Sequence, residues 1–437
     1  MPASTLFNLV RHLYSLGLYL SAPLALARLA YLGYWNRGYW QSVGQRFGFV
    51  AHRRSEEPLV WIHAVSVGEV QAARPIIERL RSDYSDLHVL VTTSTPTGVE
   101  MLRVGFGEKV THSYLPFDLP DSVARFLGRI RPGLLVLMET ELWPNLIHAC
   151  AARKIPVVLA NGRLSERSFV GYQRVIGVVR FALRQFVFLA VQSDVDAARF
   201  GKLGVDAGRI VVTGNTKFDV GVPDELREDA QTLRREIGES WILLGASTHE
   251  GEEPILLQAF TQLRAREPRS LLVLVPRHPE RVYKIAELCR TCGFPSVIRS
   301  SEIACDEHTA VYLVDTIGEL LKFYGAADVA FVGGSLVEHG GHNVLEPASM
   351  GVPVLTGPYL DNFAEISAQL TAAGALRVVH DADELLAAWS GLLVDVEARV
   401  KVGVKGQRFV EANRGAVDKV MGLLTPYLSE LCQRLHS

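Results

Sequence analysis

The sequence predicts an α/β protein built as two doubly wound parallel-sheet domains. Short apolar segments alternate with amphipathic helical segments along most of the chain, the pattern of strand–helix–strand units in a parallel sheet. The alternation runs through twice, with a break around residues 208–223 that carries Gly214, Gly221 and Pro223. The 437 residues exceed what one core accommodates and fit two domains of ordinary size, with 48% apolar and 21% charged residues.

In the first half the expected strands are Val60–Ala64, Leu87–Thr92, Lys109–Tyr114, Leu134–Met138, Pro156–Ala160 and Phe188–Gln192. The second half repeats the pattern with Trp241–Gly245, Leu271–Val275, Val297–Ser300, Val311–Val314, Val329–Gly333 and Pro353–Thr356. Asp383 to Leu431 reads as two or more helices. The expected division is an N-terminal anchor (1–40), a first domain (41–213), a second domain (214–405) and a C-terminal helix (406–437) packing back on the first domain. No fixed-period repeat or low-complexity segment interrupts it. Two such domains facing each other would set their strand C-terminal ends around a central cleft, where ligands bind.

Charge and cysteine usage narrow the function. A net charge of −2 argues against a nucleic-acid binder, which needs a basic excess on one face. Five scattered cysteines, an odd number in a long chain, are not a disulfide framework, and Cys289-Arg-Thr-Cys292 lacks the second pair a zinc site needs. The first 55 residues, however, hold Arg11, Arg28, Arg37, Arg46, Arg53 and Arg54 and no acidic residue. Leu13 to Ala27 is free of charge, Pro23 interrupts it, and Leu29 to Trp35 continues it beyond Arg28. The length is marginal for a spanning helix, and Ala25-Leu26-Ala27 also resembles a signal-peptide cleavage site. The nucleotide-site pattern of the remaining chain, described below, argues against cleavage, since nucleotide-activated substrates are made in the cytoplasm. The expectation is an anchor, spanning or embedded in one leaflet, with the arginines after the apolar run keeping the bulk of the protein cytoplasmic. Tyr31, Tyr34, Trp35, Tyr39 and Trp40 would form its interfacial belt.

Residues 328–358 are the densest in chemistry. Asp328 to Val332 reads as a buried strand ended by Gly333-Gly334-Ser335, and Gly340-Gly341 leaves room for a closely approaching ligand. Asn343 is a favoured helix cap, so backbone N–H groups would point into the gap and suit a phosphate. Glu346 would stand one turn further, placed to accept from ribose hydroxyls. An ordinary capped βα loop explains any one of these glycines; the whole run points to a nucleotide. Three other loops follow strands of the same half: Ser247-Thr248-His249 with Glu250 to Glu252, Arg277-His278, and Asp315 to Glu319 around Gly318. All four should lie at one end of one sheet, with Arg277 against phosphate or base.

In the first half, Ser66-Val-Gly-Glu69 begins a helix after a strand. The spacing is that of a capping box, and the helix dipole would hold Glu69 ionised. Alternatively Glu69 is a general base, and the two roles compete for one carboxylate. Glu139 and Glu141 follow the Leu134–Met138 strand and would point the same way if the chain stayed extended, like charges so close raising one of the two pKa values; a loop surface with Trp143-Pro144 packed at a helix start is the plainer alternative. Arg163, just after another strand, would bind a carboxylate or phosphate unless it is merely solvated.

VSVGEVQAARPII at 65–77, METELWPNL at 138–146, NGRLSERS at 161–168, GNTKFD at 214–219, GASTHEGEE at 245–253, VPRHPER at 275–281 and GGSLVEHGGHNVLEPA at 333–348 occur in order. Together they resemble the 3-deoxy-D-manno-octulosonic acid (Kdo) transferases of lipopolysaccharide and lipid A synthesis. The resemblance implies a GT-B glycosyltransferase of two Rossmann-like domains, on the cytoplasmic face of the cell inner membrane, that moves Kdo from CMP-Kdo to a lipid A precursor, lipid IVA, with inversion. It implies Glu69 as the catalytic base, Glu139 and Glu141 as further catalytic residues, and CMP contacts at Arg277, Gly318, Gly334, Asn343 and Glu346. No cofactor and no metal is expected: helix N-termini and Arg277 would meet the charge of departing CMP, no Asp-x-Asp segment standing out as a metal motif.

Overall fold

The computed structural model describes residues 3–35, 37–40, 42–53, 57–219, 223–238 and 240–433, without the side chains of 3–9 and 224. Arg54 and Gly221, named above, lie outside these residues. The chain forms two units, one comprising Met1–Asp219 with Arg414–Ser437, the other Val220–Asn413.

The first unit holds β1 (Leu59–His63), β2 (His88–Thr93), β3 (Thr111–Tyr114), β4 (Leu134–Met138), β5 (Val157–Gly162), β6 (Phe186–Val191) and β7 (Ile210–Val212). They form one parallel sheet in the order β3-β2-β1-β4-β5-β6-β7. Helices cover both faces, so the strands are near-continuous apolar runs rather than alternating ones. All of β4 is buried. Successive side chains on a strand feed opposite layers. Val60 and Ile62 pack with Ile76, Ile77, Leu424 and Leu428, while Trp61 and Leu135 pack with Phe126 and Ile147.

Leu424 and Leu428 come from the C-terminal helix Ala416–Gln433, which lies in the same core although the intervening chain builds the other unit. Asp219 pins its return, accepting from the backbone N–H of Gly415 at 2.5 Å and of Val417 at 2.6 Å. The close seat of this helix also explains Gly133: a Cβ there would stand 2.2 Å from Leu431 Cδ2.

The helix Ala3–Trp35 continues through Pro23. Its inner edge is tied to the first unit. Arg11 Nη1 and Ser15 Oγ each donate to Asn145 Oδ1 at 3.2 Å, and Tyr19 OH donates to Asp121 at 2.6 Å. Its outer edge exposes Leu13, Leu16, Leu20, Leu24, Tyr31, Tyr34 and Trp35. Among the described residues, Val10–Trp35 is the one segment long and apolar enough to cross a membrane, with a mean hydropathy of 1.3.

The second unit repeats the plan with β8 (Trp241–Thr248), β9 (Ser270–Pro276), β10 (Ser296–Ile298), β11 (Val311–Leu313), β12 (Val329–Val332), β13 (Val354–Thr356) and β14 (Leu376–Val378). The order is β10-β11-β9-β8-β12-β13-β14, again all parallel. Leu243, Phe260, Phe331 and Trp389 fill one layer, and Leu244, Phe323 and Tyr324 the other. The sequence reading lacks β7 and β14. Both are three-residue edge strands, too short for a periodic signal.

Candidate active site

Each sheet has one point at which the winding reverses. In the first unit the chain runs outward from β1 to β3 and then crosses to β4 on the other side of β1; in the second it leaves β8, reaches β10 and β11, and crosses to β12. Ligands of doubly wound sheets bind at such points, outside the strand C-terminal ends. Glu69 follows β1 and Glu139 and Glu141 follow β4, so three carboxylates flank the first reversal. Ser247, Thr248 and His249 at the end of β8, and Gly333 to Asn343 after β12, flank the second.

Glu69 stands in the first turn of the helix Val67–Asp83, whose N-cap Ser66 accepts from the Glu69 N–H at 3.3 Å. The side chain does not close the usual reciprocal box. It reaches past Ser66 to the N–H of Val65, which donates to Oε2 at 2.8 Å, while Oε1 has only a 3.4 Å contact from Ser66 Oγ. The residue is 7% exposed. Burial pushes its pKa up to about 8, Glu139 and then Glu141 add to the rise, and the Val65 and Ser66 donors oppose it. The expectation of an ionised carboxylate at a helix N-terminus is thus overturned: desolvation and two like charges outweigh the dipole and the cap. A carboxyl titrating near neutrality is matched to proton transfer at cellular pH.

Glu139 and Glu141 act on Glu69, and the extended chain expected to point the two the same way is not present. The chain turns at Glu139, whose φ is +52°, so strand alternation does not apply. Left-handed backbone is costly for such a residue and collects at functional sites. Asn161 (φ +55°) in β5 and Ser247 (φ +54°) in β8 share it, each at the C-terminal end of its strand. Burial lifts Glu141 to about 7, with the Trp143 indole lowering it and Glu139 raising it. Glu139 Oε1 lies 3.8 Å from Lys217 Nζ. Lys217 was not singled out in the sequence because β7, which positions it, was read as linker; Asn215, capping the turn that carries it, accepts its N–H at 3.0 Å. Asn161 Oδ1 accepts the Thr216 N–H at 3.0 Å, whereas its Nδ2 is buried without a hydrogen-bond partner among the described residues. Arg163 is exposed just beyond β5.

The glycine run of the second unit serves the chain's own atoms. Glu252, fully buried, accepts from four backbone N–H groups: Oε2 from His249 and Gly334 at 2.8 Å, Oε1 from Ser335 at 3.0 Å and Leu336 at 2.9 Å. The N–H groups of this loop are therefore occupied by a carboxylate, whereas those beyond Asn343, where a phosphate is expected, are not among its donors. A Cβ at Gly333 would meet Ser247 O at 2.7 Å and Glu252 Oε2 at 2.8 Å, and one at Gly340 would meet Asn362 Nδ2 at 2.7 Å. Chain atoms thus stand close against Gly333 and Gly340. The helix runs from Leu345 only to Ser349 with Val344 at its N-cap, one residue later than expected, and the Asn343 side chain accepts the Leu345 N–H and donates to Glu346 Oε1, both at 3.0 Å.

The remaining loops are braced against one another. Arg281 forms a two-pronged bond to buried Glu253 at 2.8 and 3.0 Å, and the Arg277 N–H donates to Thr248 O at 3.0 Å. This leaves the Arg277 side chain half-buried at the strand ends and His278 exposed beside it. Gly318, exposed at φ +92°, precedes Glu319, which pairs with Arg299 at 3.1 Å. Two Asp-x-Asp segments do occur, at Asp194-Val-Asp196 and Asp381-Ala-Asp383, but Asp196 accepts the Leu164 N–H at 2.8 Å and Asp381 caps a helix through the Glu384 N–H at 2.9 Å.

A family model described as 3-deoxy-D-manno-octulosonic-acid transferase (kdotransferase) matches residues 41–220. The chain is 41% identical over 423 residues to the 3-deoxy-D-manno-octulosonic acid transferase of Haemophilus influenzae, covering 96% of this chain and 99% of that one. It is 35% identical over 430 residues to the enzyme of the same name from Bordetella pertussis, covering 94% and 99%. In fold alone it resembles MurG of Acinetobacter baumannii, with a TM-score of 0.53 and 14% identity over 85% of this chain and 99% of that one. The two doubly wound units are those of a GT-B enzyme. A relative this similar along nearly the whole length decides the family: the chain belongs to the Kdo transferases, the glycosyltransferases that transfer Kdo in lipopolysaccharide synthesis.

Proposed function

We propose that this transferase takes Kdo from CMP-Kdo and attaches it, with inversion, to a glucosamine hydroxyl of the lipid A precursor lipid IVA. The observation that carries the reading is the buried Glu69 carboxyl, flanked by Glu139 and Glu141 at the winding reversal of the first unit and titrating near 8. The acceptor hydroxyl attacks the anomeric carbon from the face opposite CMP, and Glu69 takes its proton on Oε1, the oxygen that lacks a strong donor. Glu139 and Glu141 keep the proton affinity of Glu69 high.

The second unit holds the donor. Arg277 and the Ser247 and Thr248 hydroxyls meet the phosphate, with Arg163 of the first unit for an acidic group of the substrates. The loops at His278, Gly318 and Gly333-Gly334 shape the nucleotide subsite, and the tied pair Asn343 and Glu346 accepts the ribose. The N-terminal helix lies on the cytoplasmic face of the inner membrane, its exposed leucines in the lipid and its flanking arginines against anionic headgroups. Purified protein incubated with CMP-Kdo and tetraacylated precursor should form Kdo-lipid. Folded protein that forms none, or that is stabilised by UDP and not by CMP in a thermal-shift assay, contradicts the assignment.

A further inference from the structure

Four imidazoles crowd the winding reversal of the second unit, on loops after β8, β9 and β12. His249 lies at its centre, with the His339 ring stacked on it at 4.0 Å between centroids and His278 edge-on at 5.8 Å. His342 meets it differently. The two Nε2 atoms are 2.8 Å apart, the ring planes differ by 6° and the centroids are 5.1 Å apart. Centroids that distant with nitrogens that close place the rings nose to nose, so the contact is an N–H···N hydrogen bond.

Such a bond requires opposite tautomers, one ring protonated at Nε2 and the other bare there and protonated at Nδ1. A proton taken up at the outer nitrogen of one ring can leave from the outer nitrogen of the other, after the central proton has shifted across. The pair is a two-ring proton relay, and His249 is held in it by its own backbone, whose N–H is fixed by Glu252.

We propose that the His249–His342 pair is the acid of the transfer, protonating the phosphate oxygen of CMP as it leaves. This rests on the second unit being the donor unit. In the step, the acceptor oxygen bonds to the anomeric carbon and its proton passes to Glu69. The bond from that carbon to the phosphate oxygen breaks with its electron pair on the oxygen, which takes a proton from the singly protonated pair. The pair returns to neutrality, and solvent later restores its proton while Glu69 releases its own. A phosphate monoester has its second pKa near 6, so the transfer is matched once the bound donor brings the pair back towards the basicity of an ordinary imidazole.

In the unliganded protein, burial first and then the neighbouring His278, His339, Arg277 and Arg281 keep the pair neutral, lowering His249 to about 4 and His342 to about 3. A donor bearing phosphate and carboxylate offsets those cations and lets the pair take up a proton as it binds.

The experiment is the pH dependence of kcat with CMP-Kdo for the unmodified protein, His342→Gln and His249→Gln. Glutamine keeps a donor and an acceptor in the same place but cannot deliver the proton. The unmodified protein should show a descending alkaline limb; each variant should lose that limb and about 100-fold in kcat, with KM for CMP-Kdo within about threefold. A parent profile flat on the alkaline side overturns the inference without any variant. So do variants with kcat within about threefold of the parent, or a loss confined to KM. A variant that loses its thermal shift with CMP is set aside and the other decides. Failure of the parent to transfer Kdo would instead strike at the proposed function.

Discussion

The Val65 N–H donates to Glu69 Oε2 at 2.8 Å while Oε1 of the same carboxylate receives only a long contact from Ser66. One oxygen therefore fixes the side chain and the other remains to act. Capping and base catalysis, which the sequence sets in competition, are divided between the two oxygens.

Holding this carboxyl in a dry site beside two others costs stability. Its pKa is raised from 4.5 to about 8 by burial, then by Glu139 and Glu141. Between those values the folded state binds the proton more tightly than the unfolded one, so stability falls as pH rises from about 4.5 to 8. Glu69→Gln removes this penalty. Its melting temperature should exceed that of the parent at pH 8 by an amount worth up to a few kcal/mol, and approach it at pH 5. A gap that is constant across a pH series of thermal melts contradicts the assignment.

The same raised pKa should appear in the rate. With Glu69 as base, its ionisation sets an ascending limb of kcat/KM near pH 8, beyond which the profile falls as the histidine pair loses its proton. Glu139→Gln and Glu141→Gln each remove a nearby negative charge and should move the ascending limb to lower pH, Glu139→Gln further because its contribution is the larger. Unmoved limbs in both pH–rate profiles would show that the three carboxylates do not act on one another.

Glu252→Ala should be among the most destabilising single changes in the second unit. It leaves the N–H groups of His249, Gly334, Ser335 and Leu336 buried without their acceptor, at a cost of about 3 kcal/mol or more. Urea denaturation reads this directly, and a loss below about 1 kcal/mol would mean that water replaces the carboxylate.

On the N-terminal helix, Leu20 and Leu24 are 72% and 74% exposed. Leu20→Asp/Leu24→Asp should leave the melting temperature in detergent unchanged and abolish sedimentation with anionic vesicles. Continued sedimentation would move the membrane contact elsewhere.

The sequence carried the architecture further than the site. β4 matches its expected bounds because five consecutive buried residues leave no ambiguity. By contrast, β7 and β14 lie at sheet edges and contribute three residues each. In the site, Glu69, Glu139 and Glu141 are legible as carboxylates following strands, but their mutual approach is not: a left-handed Glu139 has no local signal in Glu-Thr-Glu. The glycines after β12 are legible as points of close approach, and chain atoms stand against Gly333 and Gly340. What the sequence does not show is that Glu252, in the first turn of the helix after β8, takes the N–H groups around them, an anion encoded in the chain competing for a nest of donors.

The most direct measurement is single-turnover transfer from CMP-Kdo to tetraacylated lipid A precursor by Glu69→Gln, beside CMP binding by the same variant. The account predicts a rate constant at least about 100-fold below that of the parent with CMP affinity unchanged. Transfer at the parental rate by Glu69→Gln would contradict it.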